Sequence, residues 1–565
     1  MDVLSPTSAS GVPFLLLMGV LVCIALPSPA PATPQPSPGS SSLASPQLGL
    51  VWTPPSPPDS ALAALDRIAA TGATAVRLTH LPADTTATTI ATRADSLGLR
   101  LYIDLPMADG SAPRPDEARP QADASLDQLR SLANRHASIT HVGLARGAST
   151  TGSRRCDRLR RWTERIHDAS ASLHTYYVTP FVPSADRCAD AVDQPLLDLR
   201  GHPRPTDRWR AWRTRTDSVG IGALGTWTRP AAASGLRVPH SAERQARYLE
   251  TTLSRLLDPT RAAPPVVFVA RWQDDDASLL PSRRYGLHDA AGTPRPAATV
   301  VRGLYSGTQR TFAFPDGSAP AGTSGLVLVG WGLVAVLGLL YARSLFVRET
   351  AVRYFTTPGF YRDALRDGRE VSFGANSLLL GLVGGSLGVA AARMARLATA
   401  QPETERVLAA LPRVVGTALA PGVEHPTLAG VAVGGGALVL LLLWTGAGVA
   451  MARLGTRFTV AQGLMLVTWP CWPVLLAPPV ALAAGPNAPL SPSLSTLVLL
   501  GGGTLVLLSV TLRVLFDYWR VTDAPAWTLL PLAALSPLAL VGASLLVAAQ
   551  YGVSFSLLWR LAVYT

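Results

Sequence analysis

The sequence predicts an α/β chain in two parts, a (β/α)8 TIM barrel followed by an all-α transmembrane helix bundle. Three observations carry this. Between about residues 48 and 306 short β-like runs alternate with stretches of helical periodicity, the pattern of parallel βα units. Near residue 320 the composition breaks: the chain before it is polar, arginine-rich and punctuated by proline, and the chain after it is a series of apolar runs. Six of those runs are long enough to cross a hydrocarbon layer of ~30 Å as helices. At 565 residues the chain also exceeds one ordinary domain.

In chain order, residues 1–30 read as a signal peptide or signal anchor. The apolar run Val12 to Leu26 precedes small residues suited to cleavage near Ala30 or Ala32, but no basic segment comes before it, so an uncleaved anchor stays open. Residues 31–47 form a Pro/Ser linker. The barrel occupies 48–306, with strands expected at Leu48–Trp52, Thr74–His80, Leu99–Leu105, Ile139–Ala145, His174–Phe181, Pro195–Arg200, Val219–Leu224 and Val266–Trp272. Helical periodicity is clearest over Ala61–Ala70, Thr86–Ser96, Ser125–Arg135, Arg154–Ser170 and Ser241–Leu257. Eight strands with helices between them over this length match a (β/α)8 barrel. A second linker spans 307–324, and 325–565 is a six-span transmembrane domain.

The formal charge of +12 comes from arginine alone, since the chain has no lysine. Arginine usage of this kind alongside abundant Ala, Gly and Pro reflects a GC-rich coding bias. Many of the arginines flank apolar spans instead of forming a basic stripe with aromatic platforms, which argues against a nucleic-acid partner. Cys156 and Cys188 are the only cysteines in the expected barrel, and in an oxidising compartment they are candidates for a disulfide. No Cys-x-x-Cys or His/Cys cluster with metal-ligand spacing is present, so neither a metal nor another cofactor is expected.

Several segments resemble glycoside hydrolase family 2 and related barrels of the same clan as family 5. Thr74-Ala-Val-Arg-Leu-Thr-His-Leu-Pro82 is similar to the family's second strand, and Leu99-Arg-Leu-Tyr-Ile-Asp-Leu-Pro106 to its third. Val266-Val-Phe-Val-Ala-Arg-Trp-Gln-Asp274 resembles the eighth strand, and the segment from Tyr285-Gly-Leu to Pro294-Arg-Pro-Ala-Ala298 resembles the closing motif. Val219-Gly-Ile-Gly-Ala-Leu-Gly-Thr-Trp227 resembles the seventh, nucleophile-bearing strand, but Ala223 stands where the family has a glutamate. On the fourth strand Arg146 and Gly147 occupy the place of the Asn-Glu pair that would supply the general acid. A methyl group at 223 and a glycine at 147 can neither attack an anomeric carbon nor protonate a leaving group. The resemblance implies Arg77, His80, Trp227, Trp272 and Asp274 as substrate-binding candidates, with an arginine fork for hydroxyls or a carboxylate and aromatic faces for a sugar ring. Asp104, Asp198 and Asp274 to Asp276 are the acids available for displaced chemistry. The alternative for these groups is structural: Arg77 pairing with Asp104, and Trp272 capping the core.

The apolar runs lie at about 325–346, 372–393, 428–450, 460–484, 494–515 and 527–549. The fourth contains Pro470, Pro473, Pro478 and Pro479 and is expected to be kinked or broken. Triple glycines at 434–436 and 501–503 read as close helix packing. Six arginines between Arg343 and Arg369 place that loop in the cytoplasm and the barrel on the periplasmic or extracellular side of a bacterial inner membrane, while Arg406 and Arg413, accompanied by Glu403, Glu405 and Glu424, run mildly against the pattern. Spans two to six, preceded by Tyr354-Phe-Thr-Thr-Pro-Gly-Phe-Tyr-Arg-Asp363, resemble the five-span Yip-type membrane proteins.

Three readings follow. The first is a membrane-anchored, catalytically degenerate barrel, a pseudoenzyme binding glycan or an envelope partner, with the lipid bilayer as its other partner. The second is a working tethered glycosidase using displaced acids. The third is a membrane scaffold or transporter with the barrel as a lid.

Overall fold

The computed structural model describes residues 46–55, 57–105, 119–146, 153–230, 232–275, 279–318, 325–410, 413–455, 457–483, 492–522 and 524–550. The signal segment, most of the first linker and Gly147 lie outside these, as does Asp276.

Eight parallel strands close into a barrel in chain order: β1 Gln47–Trp52, β2 Ala75–Leu78, β3 Arg100–Asp104, β4 Ile139–Arg146, β5 His174–Thr179, β6 Gln194–Arg200, β7 Gly220–Gly225 and β8 Val266–Val269. All eight overlap the expected runs. Helices α1 Pro58–Ala69, α2 Asp84–Leu97, α3 Arg119–Ala133, α4 Ser153–Ala169, α5 Pro205–Arg213, α6 Ala242–Leu256 and α7 Pro296–Tyr305 surround it. Their starts follow local chemistry. Pro58, Pro205 and Pro296 begin helices where the missing N–H costs nothing, and the Ser241 hydroxyl accepts from the Arg244 N–H to cap α6.

Alternation along each strand divides two cores. Leu50, Val76, Leu101, Ile103, Val142, Tyr177, Leu197, Ile221, Val267 and Val269 pack outward against the helices. Val51, Ala75, Tyr102, Tyr176, Val178, Leu196, Val266 and Phe268 form a cluster of their own inside the barrel. That interior is tight. A Cβ on Gly222 would lie 2.9 Å from Leu196, one on Gly143 would meet Asp104 and Tyr176, and one on Gly49 would enter the Phe268 ring.

Between β5 and β6 the barrel has only a 3-10 turn, Ala189–Ala191, where its other units have helices. The Cys156–Cys188 disulfide joins α4 to the start of that turn. The Asp186 carboxylate accepts from the Cys188 N–H and from the Tyr177 hydroxyl, so the turn is held covalently and by hydrogen bonds.

The C-terminal half is helical: α8 Gly325–Arg343, α9 Leu345–Thr356, α10 Pro358–Asp367, α11 Phe373–Ala400, α12 Glu403–Ala410, α13 Arg413–Glu424, α14 Pro426–Ala452, α15 Val460–Thr468, α16 Ala477–Ala483, α17 Pro492–Val521, α18 Leu529–Ala534 and α19 Pro537–Gln550. Among the described residues four helices are long and apolar enough to cross a membrane, or up to six spans if each of two bent pairs counts as one. The first bent pair, Val460–Thr468 with Trp472–Leu482, turns by 54° at the proline cluster. The second, Ala526–Ala534 with Pro537–Ser544, turns by 50° at a break the apolar run alone does not reveal. Leu328, Trp331, Leu339, Val431 and Leu443 are exposed, an apolar surface suited to lipid and costly in water.

Helices α11 and α14 touch backbone to backbone. A Cβ on Gly388 would lie 2.8 Å from the Gly430 carbonyl oxygen, and one on Gly434 would lie 2.7 Å from that of Gly384, so two glycines spaced by four on each helix form the seam. Gly435, Gly436 and Gly501 to Gly503 face open space, so close packing at the triple glycines reduces to Gly434.

The disulfide closes a loop of 32 residues, which is expected to contribute about 3–4 kcal/mol. Alkylation of unreduced, unfolded protein should label Cys471 but neither Cys156 nor Cys188. Cys156→Ser should lower the melting temperature of the barrel transition, and an unchanged transition would remove the staple from the stability of this half.

Candidate functional site

The C-terminal ends of the strands, where barrel enzymes build their sites, converge on an arginine-rich mouth. Deep below it, Arg77 on β2 lies inside the sheet at 3 % exposure. Its guanidinium donates to both carboxylate oxygens of Asp104 on β3, at 3.2 and 2.7 Å, and to the Gly222 carbonyl at 2.9 Å. The Tyr176 hydroxyl donates to Asp104 at 2.6 Å. Burial opposes the charged form of Arg77, and Asp104 with Tyr176 outweighs it and raises its pKa. This is a closed buried ion pair with its hydrogen bonds satisfied, and it leaves no fork free for a ligand.

Ala223 on β7 is buried with Trp227, Ala270 and Tyr285. Trp227 is 3 % exposed: the His240 ring stacks on it with centroids 4.6 Å apart, and the Arg283 guanidinium lies 4.6 Å from its centroid. His240 holds a left-handed backbone, φ 60°, a conformation uncommon outside glycine. Burial and the Arg229 charge push its imidazole down to about 4, so it is neutral at pH 7. Trp272 is 2 % exposed and packs on His288. Asp274 accepts from the Gly286 N–H at 2.8 Å and pairs with Arg295 at 2.6 Å, which fixes the loop before α7. Asp275 pairs with Arg271 at 2.7 Å. Of the five substrate-binding candidates only His80 is exposed.

The mouth itself is engaged by the helical half. Asp198 on β6 takes two bonds from the Arg200 guanidinium, at 3.0 and 2.9 Å, and one from its N–H at 3.2 Å, and Arg406 of α12 approaches the same carboxylate at 3.5 Å. Arg406 also donates to the backbone carbonyls of Asp198 and Arg200, both at 3.1 Å. Glu405, beside it on α12, accepts from Arg200 at 3.3 Å and from the Tyr285 hydroxyl at 3.0 Å. Burial works against the Asp198 carboxylate, but Arg200 and Arg406 together hold it below the ordinary carboxylate range.

Arg283, buried, donates to the carbonyls of Ala398, Thr399 and Gln401 at 3.2, 3.2 and 2.6 Å, so a barrel arginine caps the C-terminus of α11. The Ser282 N–H donates to Glu424 at the end of α13 at 2.8 Å, and Leu280 is buried with Leu408 and Ala420. Gly201, at φ +69°, leaves room for Pro402, which a Cβ there would approach to 2.6 Å. Among the described residues no group of three or more His, Cys, Asp or Glu side chains could hold a metal.

The sequence marks Asp198 as an acid at a strand end and Tyr285 within the closing motif, but nothing in it ties Arg200, Arg283 or Glu405 to this site. Its one trace was Arg406, in a loop whose charge opposes the orientation of the rest. That charge is spent on Asp198 and two carbonyls.

No family model matches the chain, and no curated protein matches it. Among solved structures it is similar to the family 2 β-galacturonidase of Eisenbergiella tayi bound to galacturonate, with 16% identity and a TM-score of 0.40, over 47% of this chain and 51% of that one. It is similar to a β-glucuronidase of an uncultured Clostridium, with 13% identity and TM-score 0.41, and to the β-D-glucuronidase of Dictyoglomus thermophilum, with 12% and 0.39, each over 47% of this chain and 51% of the other. The chain thus spans about half the length of each.

Replacing Arg77 by Met removes the guanidinium that donates to both oxygens of buried Asp104, and should destabilise the barrel by about 3–5 kcal/mol. Chemical denaturation of the full chain in detergent checks this, and a loss under about 1 kcal/mol would show that the Arg77–Asp104 pair does not hold the barrel interior together.

Proposed function

We propose that the chain is a membrane-anchored, non-hydrolytic, glycoside-hydrolase-like barrel whose former substrate mouth serves as a docking face for its own helical half. The observation that carries this reading is the Asp198–Arg200–Glu405–Arg406 network with Tyr285, which occupies the mouth where a reacting sugar would sit. Ala223 supports it, because the matched nucleophile position carries no carboxylate. The candidate displaced acids support it too: Asp104, Asp198, Asp274 and Asp275 are each committed to an arginine. Asp198, held below the ordinary carboxylate range by Arg200 and Arg406, cannot donate a proton as general acid near neutral pH. A glycan stacking on Trp227 or Trp272 would first have to displace the helical half or the flanking side chains.

The expected side of the membrane follows from the same contacts. Helix α8 starts after the barrel, and α11 ends and α14 begins at the barrel mouth, so a chain that alternates through a bilayer keeps the 401–425 segment and the barrel together. With the 343–369 arginines cytoplasmic, the barrel lies on the periplasmic side of a bacterial inner membrane.

The full chain in nanodiscs should turn over none of a panel of aryl glycosides above background. Turnover abolished by Asp274→Asn or Asp198→Asn would replace this reading with that of a working glycosidase. A periplasm-active reporter fused at residue 310 should be active and one at Arg362 inactive, and the reverse would put the barrel in the cytoplasm.

The docking itself should survive mild acid. The folded-state pKa of Asp198 is depressed, so its contribution is fully present above its unfolded value near 4 and is lost only as pH falls through the lower folded value. Hydrogen exchange of residues 398–424 should therefore stay protected from about pH 5 to 8 after correction for the intrinsic rate, and Arg283→Ala should open that segment. Protection lost on going from pH 7 to 5 would mean that Asp198 does not hold the contact.

A further inference from the structure

With the mouth engaged, the barrel's open concavity is at its other end. A cavity of about 490 Å³ lies among the first residues of the strands, lined by side chains that include Gln47 of β1, Arg100 of β3, His141 of β4, His174 of β5 and Gln194 of β6. Every residue lining it is polar. Since the strands' C-terminal ends meet the helical half, this floor points away from it, toward whatever the barrel is displayed to.

The cavity has the features of a built site. Leu101 pairs with Ile139 and Tyr102 with His141, so Thr140 is an extra residue in β4 and the ladder slips at that point. Such bulges re-aim a side chain. The His141 ring lies flat on Tyr102, with centroids 3.9 Å apart and planes 8° from parallel. Its Nδ1 is engaged by the Thr140 hydroxyl at 2.8 Å, which leaves Nε2 for the cavity. Burial, with His174 and Arg100 beside it, pushes His141 down to about 3, so the ring is neutral at pH 7.

Gln194 Oε1 is buried with no hydrogen-bond partner, an acceptor waiting for a donor. The Asp193 carboxylate at the rim is held by the Thr175 N–H and hydroxyl and by His167 and keeps its charge, so an anion is placed by contact with Arg100 and not by the net charge of the lining. Arg100 is exposed and carries a permanent positive charge into the lining.

We infer that this floor cavity is a binding site for a small hydroxylated anion, a sugar acid or a sugar phosphate. The anionic group sits on Arg100 and His174, a ligand hydroxyl donates to Gln194 Oε1, and a second polar group meets His141 Nε2. The volume falls within the range of small-molecule sites. The inference does not depend on whether the mouth hydrolyses anything.

The test uses the full chain in nanodiscs with D-gluconate and glucose 6-phosphate as probes and glucose and inorganic phosphate as controls, read by calorimetry and by saturation-transfer NMR. At least one probe should bind with a Kd from high micromolar to a few millimolar, and more tightly than either control. Gln194→Leu and Arg100→Ala should each weaken binding about tenfold, the loss expected for one hydrogen bond to a charged or buried group. Arg100 is exposed, so its substitution should leave the unliganded melting temperature unchanged and keep the test readable if Gln194→Leu misfolds. Binding unaffected by Arg100→Ala, binding of glucose equal to that of the anionic probes, or no binding of either probe at about 10 mM, above the weakest expected Kd, would each overturn the proposal. Aryl glycoside turnover with intact gluconate binding would overturn the non-hydrolytic reading alone.

Discussion

The carboxylate of Asp198 is where the two halves of this molecule meet electrostatically. Arg200 on its own strand and Arg406 from the helical half both reach this buried carboxylate, and half-buried Glu405 returns a second negative charge to Arg200. Removing either arginine would leave a buried charge short of a partner, and that imbalance costs more than a surface pair contributes. The Arg283 cap on α11 and the Leu280, Leu408 and Ala420 cluster add contacts around it that need no charge balance. Together they couple the rim of the sheet to helices α11 through α13.

The coupling continues into the helical half. Helix α11 carries Gly384 and Gly388 against Gly430 and Gly434 of α14, with no side chain between the two backbones. A helix pair seated so closely has little freedom to slide, because any rotation drives Cβ atoms into carbonyls. The barrel is therefore attached at one end of a stiff two-helix unit.

Much of this architecture was legible in the sequence, for identifiable reasons. The eight strands were readable because buried parallel strands leave short apolar runs between turn residues, and the bend at α15 because prolines cannot complete the helix ladder. Helices α5 and α7 escaped notice. The first is nine residues rich in Arg and Trp, and the second ten residues after a proline-rich turn, both too short for periodicity to speak clearly. The mouth was the least legible part. Its pairs join residues near 198–285 to others near 398–424, and no local pattern records a contact at that separation. Arg77 could be read either as a ligand fork or as the partner of Asp104, and only strand register decides. Arg77 pairs with Tyr102 across β2 and β3, two residues before Asp104, which brings the guanidinium and carboxylate to the same inner face.

The order of these parts along the chain gives the docked mouth a history. Every barrel residue of the latch, from Asp198 to Tyr285, is synthesised before α11 is complete, and the last barrel helix ends at Tyr305 while the capped carbonyls begin at Ala398. At ordinary elongation speeds this interval lasts on the order of ten seconds, longer than many domains need to fold. A newborn molecule thus passes through a stage in which the barrel can be closed while its rim still stands open, with Arg283 and Asp198 lacking the partners they later acquire. During that stage the rim is a solvated, charged surface available to chaperones, lipid headgroups or another copy's helices. The arrival of the α11–α14 hairpin ends the opportunity.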